Sequence, residues 1–201
     1  MQKFKIIGIS GVGRAGKDSF YRFASEYLNS QGVTTGRWAF ADELKRDMDN
    51  FIQEKFGFSA FTEDTGEKNK IRPLLVEYGK IRRNESRGQH WLKTIEPSIL
   101  AADGPQVRFI TDLRFAKYGE TDELNFVKKN SGQVIHVRRY SVHGFVQEPA
   151  NAEEQENDPL IRWAADLKFD WSDWMQFNDG EKLARAEVER VMGENQSFWK
   201  I

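Results

Sequence analysis

The segment Gly11–Ser19, with the sequence GVGRAGKDS, limits the possible folds of this chain more than any other segment. It follows the apolar run Phe4–Ile9 and precedes the helix-compatible segment Phe20–Leu28. A strand, a glycine loop that ends in lysine, and a helix form the pattern of a phosphate-binding P-loop. Glycines allow successive N–H groups to turn toward one anion, and the helix N-terminus adds its positive end. The alternative is a flexible glycine turn, which the preceding buried-type strand disfavours.

The end of this loop departs from the usual P-loop pattern at one position. Lys17 would supply a charge for the β- and γ-phosphates, but Asp18 stands where Ser or Thr normally meets the magnesium ion. Ser19 follows, so a hydroxyl is shifted by one residue, and either Asp18 or Ser19 could meet the metal. The whole loop is a candidate nucleotide site: Gly11, Val12, Gly13, Arg14, Ala15, Gly16, Lys17, Asp18 and Ser19.

Composition narrows the class of protein. With 201 residues the chain is long enough for one domain with a substantial core, and 30% charged residues fit a soluble protein. The net charge of −1 gives no bulk attraction to nucleic acid or to a membrane surface. The absence of cysteine excludes disulfides and thiolate metal sites and suits a reducing cytoplasm. The first apolar run is too short for a signal peptide or a membrane span.

Hydrophobic periodicity predicts strands and helices in alternation. After the first strand, we predict strands at Gly36–Phe40, Val107–Asp112, Gln133–Arg138 and Trp174–Asn178. After the first helix, we predict helices at Asp42–Phe56, Ile71–Arg83, Gly88–Ala102 (kinked or split at Pro97), Glu120–Asn130, Leu160–Leu167 and Gly180–Met192. This order predicts a three-layer α/β domain with a parallel sheet of about five strands and helices on both faces.

Ligands bind such sheets at the carboxyl ends of the strands, where three features of this chain fall together. The P-loop follows the first strand, Asp42 the second, and Asp112 with Arg114 the third. Asp112 could bind magnesium and Arg114 a phosphate; alternatively, Asp112 caps the next helix and pairs with Arg114. Asp42 could orient an acceptor or act as a base, or it could simply be a helix N-cap.

Basic residues occur at two further places that could meet phosphates. The predicted helices between the second and third strands carry a basic cluster: Arg72, Lys80, Arg82, Arg83 and Arg87. A solvated helix face would explain the cluster, but Arg72 and Arg83 could instead hold an acceptor phosphate. Arg138 and Arg139 close the fourth strand before the polar stretch 140–159, which we predict to be a mobile lid. They could stabilise charge between phosphates or pair with Glu153 or Glu154. The aromatic group of Trp163, Phe169, Trp171 and Trp174 is interpreted as core packing.

Six short motifs, in this order and spacing, resemble those of the bacteriophage deoxynucleoside monophosphate kinases. They are GVGRAGKDS, FADELK, RPLLVEYGKIRR with HW, FITDLRF, VIHVRR and FNDG, and together they span most of the chain. That family carries Gly-Lys-Asp followed by Ser or Thr, so Asp18 matches its pattern. The resemblance implies a P-loop kinase that uses ATP and Mg²⁺ to convert deoxynucleoside monophosphates into diphosphates, in the cytoplasm of a host cell if phage-encoded.

The resemblance also implies roles for individual residues. The loop would hold ATP, with Asn178 and Asp179 on the adenine side and Asp18, Ser19 and Asp112 near the metal. The catalytic candidates are Lys17, Asp42, Asp112, Arg114 and Arg138. The candidates around the monophosphate are Asp42, Lys45, Arg72, Tyr78, Arg83, Trp91 and Arg114. The acceptor-binding helices would cover about residues 42–102, and the partners would be small-molecule nucleotides rather than nucleic acid or membrane.

Several alternatives stay open from the sequence. Animal-type phosphomevalonate kinases have a similar layout, and some phage P-loop kinases phosphorylate a hydroxymethylated base within DNA. The near-neutral charge disfavours a DNA substrate, which would prefer a basic groove. A nucleotide-binding module without an acceptor is the alternative outside enzymes. The sequence does not name the accepted base, and a homodimer is expected from the family without a readable interface.

Overall fold

A computed structural model describes residues 4–140, 147–171 and 179–201, in which strands and helices alternate along the chain. The strands are β1 (Lys5–Ser10), β2 (Thr35–Trp38), β3 (Val107–Leu113), β4 (Gln133–Arg139) and β5 (Leu167–Trp171). The α-helices are α1 (Lys17–Ser30), α2 (Phe40–Phe56), α3 (Thr65–Ser86), α4 (Gln89–Ile99), α5 (Glu123–Lys129), α6 (Ala152–Ala164) and α7 (Gly180–Glu194). Short 3₁₀ turns occur at Gly119–Thr121 and Gln196–Phe198.

The described strands form one parallel sheet in the order β2-β3-β1-β4-β5. The P-loop strand β1 is therefore central, with Gly8 in register with Ile110 of β3 and Val134 of β4. Crossing from β2 to β3 takes the chain through three helices, whereas β4 is reached through α5 and a short 3₁₀ turn. The predicted three-layer α/β fold with a five-stranded parallel sheet is confirmed.

Two apolar layers cover the two faces of the sheet. On one face, α1 and α7 pack on the sheet through residues such as Phe20, Phe23 and Val188. On the other face, α2, α4, α5 and α6 contribute Phe40, Ile95, Val127 and Ile161. Burial of both faces explains why the central strands read as continuous apolar runs. None of the described helices combines the length and the apolar character that a membrane-spanning helix requires.

The helices between β2 and β3 build a structure of their own beside the sheet. Ile52 of α2 and Ile71 of α3 share a small apolar cluster with Ala60, and α3 also packs on α4. This arrangement leaves a cleft between these helices and the carboxyl end of β3. The division of the chain into an acceptor-binding region at 42–102 and a lid at 140–159 stays a prediction.

The last third of the chain differs from the prediction in three ways. No helix was predicted within the polar stretch 140–159, but α6 begins at Ala152 and continues through Pro159 to Ala164. The helix predicted at Leu160–Leu167 is therefore only the end of α6 as far as Ala164, and Leu167 begins β5. An edge strand exposes alternate residues, here Lys168 and Asp170, and this polarity concealed β5 in the sequence. The strand predicted at Trp174–Asn178 lies outside the described residues.

Two smaller predictions also need correction. Helix α4 is not split at Pro97 but runs without interruption to Ile99, and the chain leaves the helix there rather than at Ala102. Within the aromatic group assigned to the core, Phe169 and Trp171 are buried, but Trp163 is 84% exposed. Trp174 lies outside the described residues.

The P-loop backbone is held tightly between β4 and β5. A Cβ on Gly11 would lie 2.2 Å from the carbonyl oxygen of Val137, and one on Gly16 would lie 2.3 Å from Cζ2 of Trp171. Both glycines have positive φ angles, 138° and 88°. The Trp171 indole N–H donates to the carbonyl oxygen of Ala15 at 2.9 Å. Glycine is required here both by backbone conformation and by the nearness of neighbouring strands.

We expect Gly16→Ala to lower the free energy of unfolding by about 3 kcal/mol. A left-handed φ angle costs a side chain roughly 1–2 kcal/mol, and overpacking against Trp171 adds about 1–3 kcal/mol. Gly57→Ala is the matched control, because Gly57 has φ 80° but no atom within 4 Å of the place that a Cβ would occupy. It should cost only about 1 kcal/mol. Urea unfolding of both variants measures the difference, and equal losses would show that Trp171 does not restrict the loop.

Candidate functional site

A carboxylate of the protein itself, that of Glu154, is bound at the P-loop. The Gly13 N–H donates to Oε2 of Glu154 at 3.1 Å, and the Ala150 N–H donates to the same oxygen at 2.9 Å. Arg114 donates to Oε1 of Glu154 at 3.2 Å. Glu154 is only 8% exposed, so this carboxylate sits inside the site. The Gly13 N–H therefore points to a position that a negatively charged group occupies, and a nucleotide phosphate would fit the same position.

Lys17 lies folded back against the loop that it follows. Its Nζ donates to the carbonyl oxygens of Gly11 at 2.8 Å and Val12 at 2.9 Å. Burial, reinforced by the nearby positive charge of Arg114, lowers the pKa of Lys17 from 10.5 to about 8. The ammonium group is thus held by neutral carbonyls in a poorly hydrated position, where a phosphate oxygen would be a stronger partner.

Asp18 and Ser19 occupy the exposed first turn of α1. Asp18 is close enough to Lys17 and Arg37 to affect the pKa of both groups. Within the described ranges, no group of three or more acidic, histidine or cysteine side chains could hold a metal ion by itself. Magnesium in nucleotide sites usually has one or two protein carboxylates and takes its other ligands from phosphates and water. These two residues fit that pattern, and their metal role stays a prediction.

Asp112 joins the end of β3 to the beginning of α2. Its two carboxylate oxygens accept from the N–H groups of Phe40 at 2.9 Å and Ala41 at 2.8 Å. Burial raises the pKa of Asp112. The capping role that the sequence allowed was toward the next helix, but Asp112 caps α2, which precedes β3 in the chain. Asp112, which is distant from α2 in the sequence, thus provides the hydrogen-bond acceptors that a side chain at the N-cap would normally provide.

Asp42 is not the N-cap of α2, because the helix begins at Phe40 and Ala39 precedes it. Its carboxylate pairs with Arg37 at 2.6 Å, and Asp42 is not in the wall of the cleft. Tyr78 is also outside that wall, and its hydroxyl donates to Asp47 at 2.6 Å. The structure therefore does not bring these two residues to the cleft beside the other residues that the sequence predicted around the monophosphate.

The cleft has a volume of about 310 Å³ and lies between α2, α3, α4, the end of β3 and the first turn of α6. Its basic lining residues are Lys45, Lys68, Arg72, Arg83 and Arg114. Its acidic lining residues are Asp112, Glu123, Glu153 and Glu154. Trp91, Phe40 and Phe115 provide part of an apolar wall. The predicted candidates Lys45, Arg72, Arg83, Trp91 and Arg114 thus share one cavity.

Arg83 is the most buried of the cavity arginines for which a contact is described. Its side chain is 13% exposed, and its guanidinium carbon lies 3.5 Å from the ring centroid of Phe115. Nη1 is 3.4 Å from both carboxylate oxygens of Glu153, a long contact. Burial lowers the pKa of Arg83. Its Nε is buried and has no hydrogen-bond partner in the part of the chain that the structure describes.

Glu123 was not among the candidates from the sequence. It is 4% exposed at the start of α5, and its Oε2 accepts from the N–H groups of Arg114 at 2.7 Å and Phe115 at 3.2 Å. Burial and the neighbouring Asp112 raise the pKa of Glu123 to about 8. An acidic residue in the first turn of a short helix is common, so no sequence signal distinguished it.

Two predicted positions fall elsewhere. Arg138 lines a separate polar cavity of about 230 Å³, between Val12 of the P-loop and Gln155 and Asp158 of α6. Glu153 and Glu154, suggested as partners of Arg138 or Arg139, pair with Arg83 and Arg114. Asp179 is exposed just before α7, and its predicted partner on the adenine side, Asn178, lies outside the described residues.

The burial of Lys17 predicts a pH dependence of stability. Its pKa is lower in the folded protein than in the unfolded chain, so the unfolded chain binds more protons between pH 8 and 10.5. The free energy of unfolding should therefore rise with pH across this window because of Lys17, by at most about 3 kcal/mol. Lys17→Met removes this contribution.

Urea unfolding at pH 7.5 and pH 10 measures this effect. The free energy of unfolding of Lys17→Met minus that of the original protein should be larger at pH 7.5 than at pH 10. Other titrating groups are common to both proteins and cancel in the comparison. A constant difference between the two proteins would contradict the proposed burial of a charged Lys17.

Comparison with known proteins found similarity to several solved structures. No protein-family model matches the chain, and no curated protein matches it. A shikimate kinase from Acinetobacter baumannii in complex with shikimate aligns at 15% identity and a TM-score of 0.41, covering 96% of both chains. A shikimate kinase from Aquifex aeolicus aligns at 16% identity and a TM-score of 0.41, covering 96% of this chain and 98% of that one. A sugar kinase from a Janibacter species aligns at 9% identity and a TM-score of 0.35, covering 94% and 93%. Likenesses at this level do not assign the chain to a family or to a substrate.

Proposed function

We propose that this protein is a P-loop kinase that transfers the γ-phosphoryl group of ATP to a deoxynucleoside monophosphate. The observation that carries the proposal is that the P-loop and the basic cleft meet at one point. Arg114 lines the cleft and binds Glu154, whose other oxygen is held by Gly13 of the loop. A donor phosphate on the loop and an acceptor in the cleft would therefore be neighbours, as direct transfer requires.

The chain provides charge and position for this reaction. Phosphoryl transfer needs neutralisation of the phosphate oxygens and alignment of the two substrates more than it needs a covalent group. Lys17 would exchange its carbonyl partners for phosphate oxygens, and Arg114 is close enough to share the charge. Magnesium, held by Asp18 or Ser19 with Asp112 nearby, would neutralise further negative charge when bound with ATP. Asp112 also joins the beginning of α2, which is part of the cleft wall, to the end of β3.

The acceptor proposal rests on the combination of charge and apolar surface in the cleft. Arg83, with Arg72 and Lys45, would hold the phosphate of the acceptor. Trp91 and Phe40 provide apolar surface of the kind that a flat nucleobase covers. A volume of about 310 Å³ is at the small end of the range for small-molecule sites. The choice of a deoxynucleotide over other phosphorylated acceptors comes from the motif resemblance described above.

The remaining parts of the proposal follow from the same resemblance. We propose that Asn178 and Asp179 contact the adenine side of ATP, that residues 140–159 act as a lid and that Arg138 assists at its base. Asp42 and Tyr78 would reach the acceptor only through a rearrangement of the cleft wall. A cytoplasmic location and a homodimer are likewise proposals.

ADP release from Mg-ATP, measured with a panel of acceptors, tests the reaction. We expect strong stimulation by one or more deoxynucleoside monophosphates, including hydroxymethylated pyrimidines. Lys17→Ala should reduce the rate on the order of 100-fold or more, because a preorganised charge near the transferred group is lost. Lys55→Ala is the control, since the exposed Lys55 pairs only with its neighbour Glu54 among the described contacts. Full activity of Lys17→Ala would refute the P-loop assignment.

The same panel separates the alternatives. Stimulation only by phosphomevalonate or by duplex DNA would keep the P-loop and change the acceptor. Slow hydrolysis of ATP that no acceptor increases would instead indicate a nucleotide-binding module.

Arg83→Met tests the acceptor side of the cleft. We expect the KM for the acceptor to rise about tenfold or more while the KM for ATP changes little, because a charge-assisted contact to a phosphate is removed. Arg82→Met is the matched control, because Arg82 also has a long ion pair, to Glu85 at 3.5 Å, and a buried Nε without a described partner, but is absent from the cavity wall. A larger effect on the KM for ATP would move Arg83 to the nucleotide side.

A further inference from the structure

Two consecutive carboxylates of α6 occupy the two places where the proposed function puts phosphates. Glu154 accepts from Gly13 of the P-loop and from Arg114, and Glu153 lies against Arg83 in the cleft. We propose that Glu153 and Glu154 are internal competitors of the acceptor and the nucleotide, so that the first turn of α6 must leave both subsites before the substrates bind. This inference rests on the proposed function, because it assigns the two subsites to those two ligands.

The contacts of Glu154 are those that a phosphate would need. One oxygen takes two backbone N–H groups and the other takes a guanidinium, so the carboxylate uses a loop donor and a cation together. A nucleotide phosphate cannot use the Gly13 N–H and Arg114 in the same way while Glu154 holds them. Lys17, which lies near Glu154 but donates to loop carbonyls, would be an additional partner for a phosphate. A more highly charged ligand can therefore displace the carboxylate.

The contact of Glu153 with Arg83 is longer than that of Glu154 with Arg114, and it leaves one hydrogen-bond donor of Arg83 without a described partner. Both distances to Nη1 of Arg83 are 3.4 Å, and Glu153 is partly exposed. The Nε of Arg83 is buried without a hydrogen-bond partner among the described residues. An unpaired buried donor beside a long ion pair is an arrangement that a ligand with several oxygens improves. Glu153 thus covers Arg83 without pairing with all of its hydrogen-bond donors.

The helix itself makes the two contacts interdependent. Asn151 caps α6 through a bond from the Glu154 N–H to its side chain at 2.9 Å, and the acidic pair lies in the first helical turn. Negative side chains are stabilised there by the helix dipole, so the turn is stable as an ordered unit. Because Glu153 and Glu154 are adjacent on this turn, displacement of one disturbs the other. Binding of nucleotide should therefore free Arg83 and strengthen binding of the acceptor, and the coupling must be reciprocal.

Isothermal titration with ADP in the absence of acceptor tests the role of Glu154. We expect Glu154→Gln to bind ADP more tightly, on the order of tenfold, because the competing charge is removed while the shape is kept. Glu156→Gln is the matched control, with the same change on the same helix, since Glu156 pairs at the surface with Lys117. Its Kd for ADP should not change. An unchanged or weaker affinity of Glu154→Gln would overturn the proposal.

Glu153→Gln should show the complementary pattern. The KM for the stimulating monophosphate is expected to fall severalfold, whereas the Kd for ADP in the absence of acceptor should change much less. Thermal unfolding of each variant identifies any general loss of structure. If Glu153→Gln raised the KM for the acceptor, Glu153 would be a substrate-binding residue and its part of the inference would be wrong.

Hydrogen exchange of the unmodified protein gives a readout that needs no variant. Saturating ADP should increase amide exchange at residues 150–155, because the Ala150 N–H loses its Glu154 acceptor and the turn is released. Exchange in α1 should fall in the same experiment. Increased protection at residues 150–155 would overturn the proposal, since it would mean that the turn tightens on the nucleotide.

The outcomes separate this inference from the proposed function. Tighter ADP binding by Glu154→Gln without stimulation by any monophosphate would support the inference on the nucleotide side and refute the acceptor assignment. Kinase activity with unchanged ADP binding in Glu154→Gln would refute only the inference. Absence of ADP binding in both proteins would refute both.

Discussion

The nearness of the P-loop backbone to the two strands beside it underlies the geometry of the whole site. Gly11 lies against the carbonyl of Val137, and Gly16 lies under the indole of Trp171, which also binds the carbonyl of Ala15. These contacts fix the loop in a conformation with left-handed glycines and turn the Gly13 N–H toward the cleft. A parallel sheet with β1 at its centre is what brings β4 and β5 into this position.

Three acidic side chains at the carboxyl end of the sheet hold the rest of the site in place. Asp112 holds the beginning of α2, Glu123 holds the backbone at Arg114, and Glu154 joins Arg114 to the loop. Asp112 and Glu154 each connect segments that are distant in the chain, whereas Glu123 connects α5 to the nearby end of β3. Burial raises the pKa of both Asp112 and Glu123, so the charge of these groups depends on their surroundings. The groups that hold the local structure are therefore also residues of the candidate site.

Local sequence predicted much of this arrangement. The P-loop, the central strands and the helices on either side were found from apolar periodicity and from the glycine pattern, since both signals depend on neighbouring residues. The prediction failed where neighbours gave conflicting information. β5 was hidden by the exposed Lys168 and Asp170, and Pro159 obscured a helix whose first turn tolerates its acidic residues. Asp42 looked like a helix cap, but the side chain that accepts hydrogen bonds from the first N–H groups of α2 is Asp112. It lies on a strand 72 residues beyond Phe40, so no local pattern pointed to it.

The order of residues along the chain was enough to define the α/β fold class, the position of the glycine loop between β1 and α1, and the presence of arginines near the ends of strands. Those features follow from local propensity and from the rule that parallel strands place their carboxyl ends together. Folding in three dimensions was needed to define which arginine faces which carboxylate, which candidates share a cavity, and that Glu154 rests on the loop. Burial and ion pairing between distant segments depend on where the chain folds, and no local pattern encodes those distances.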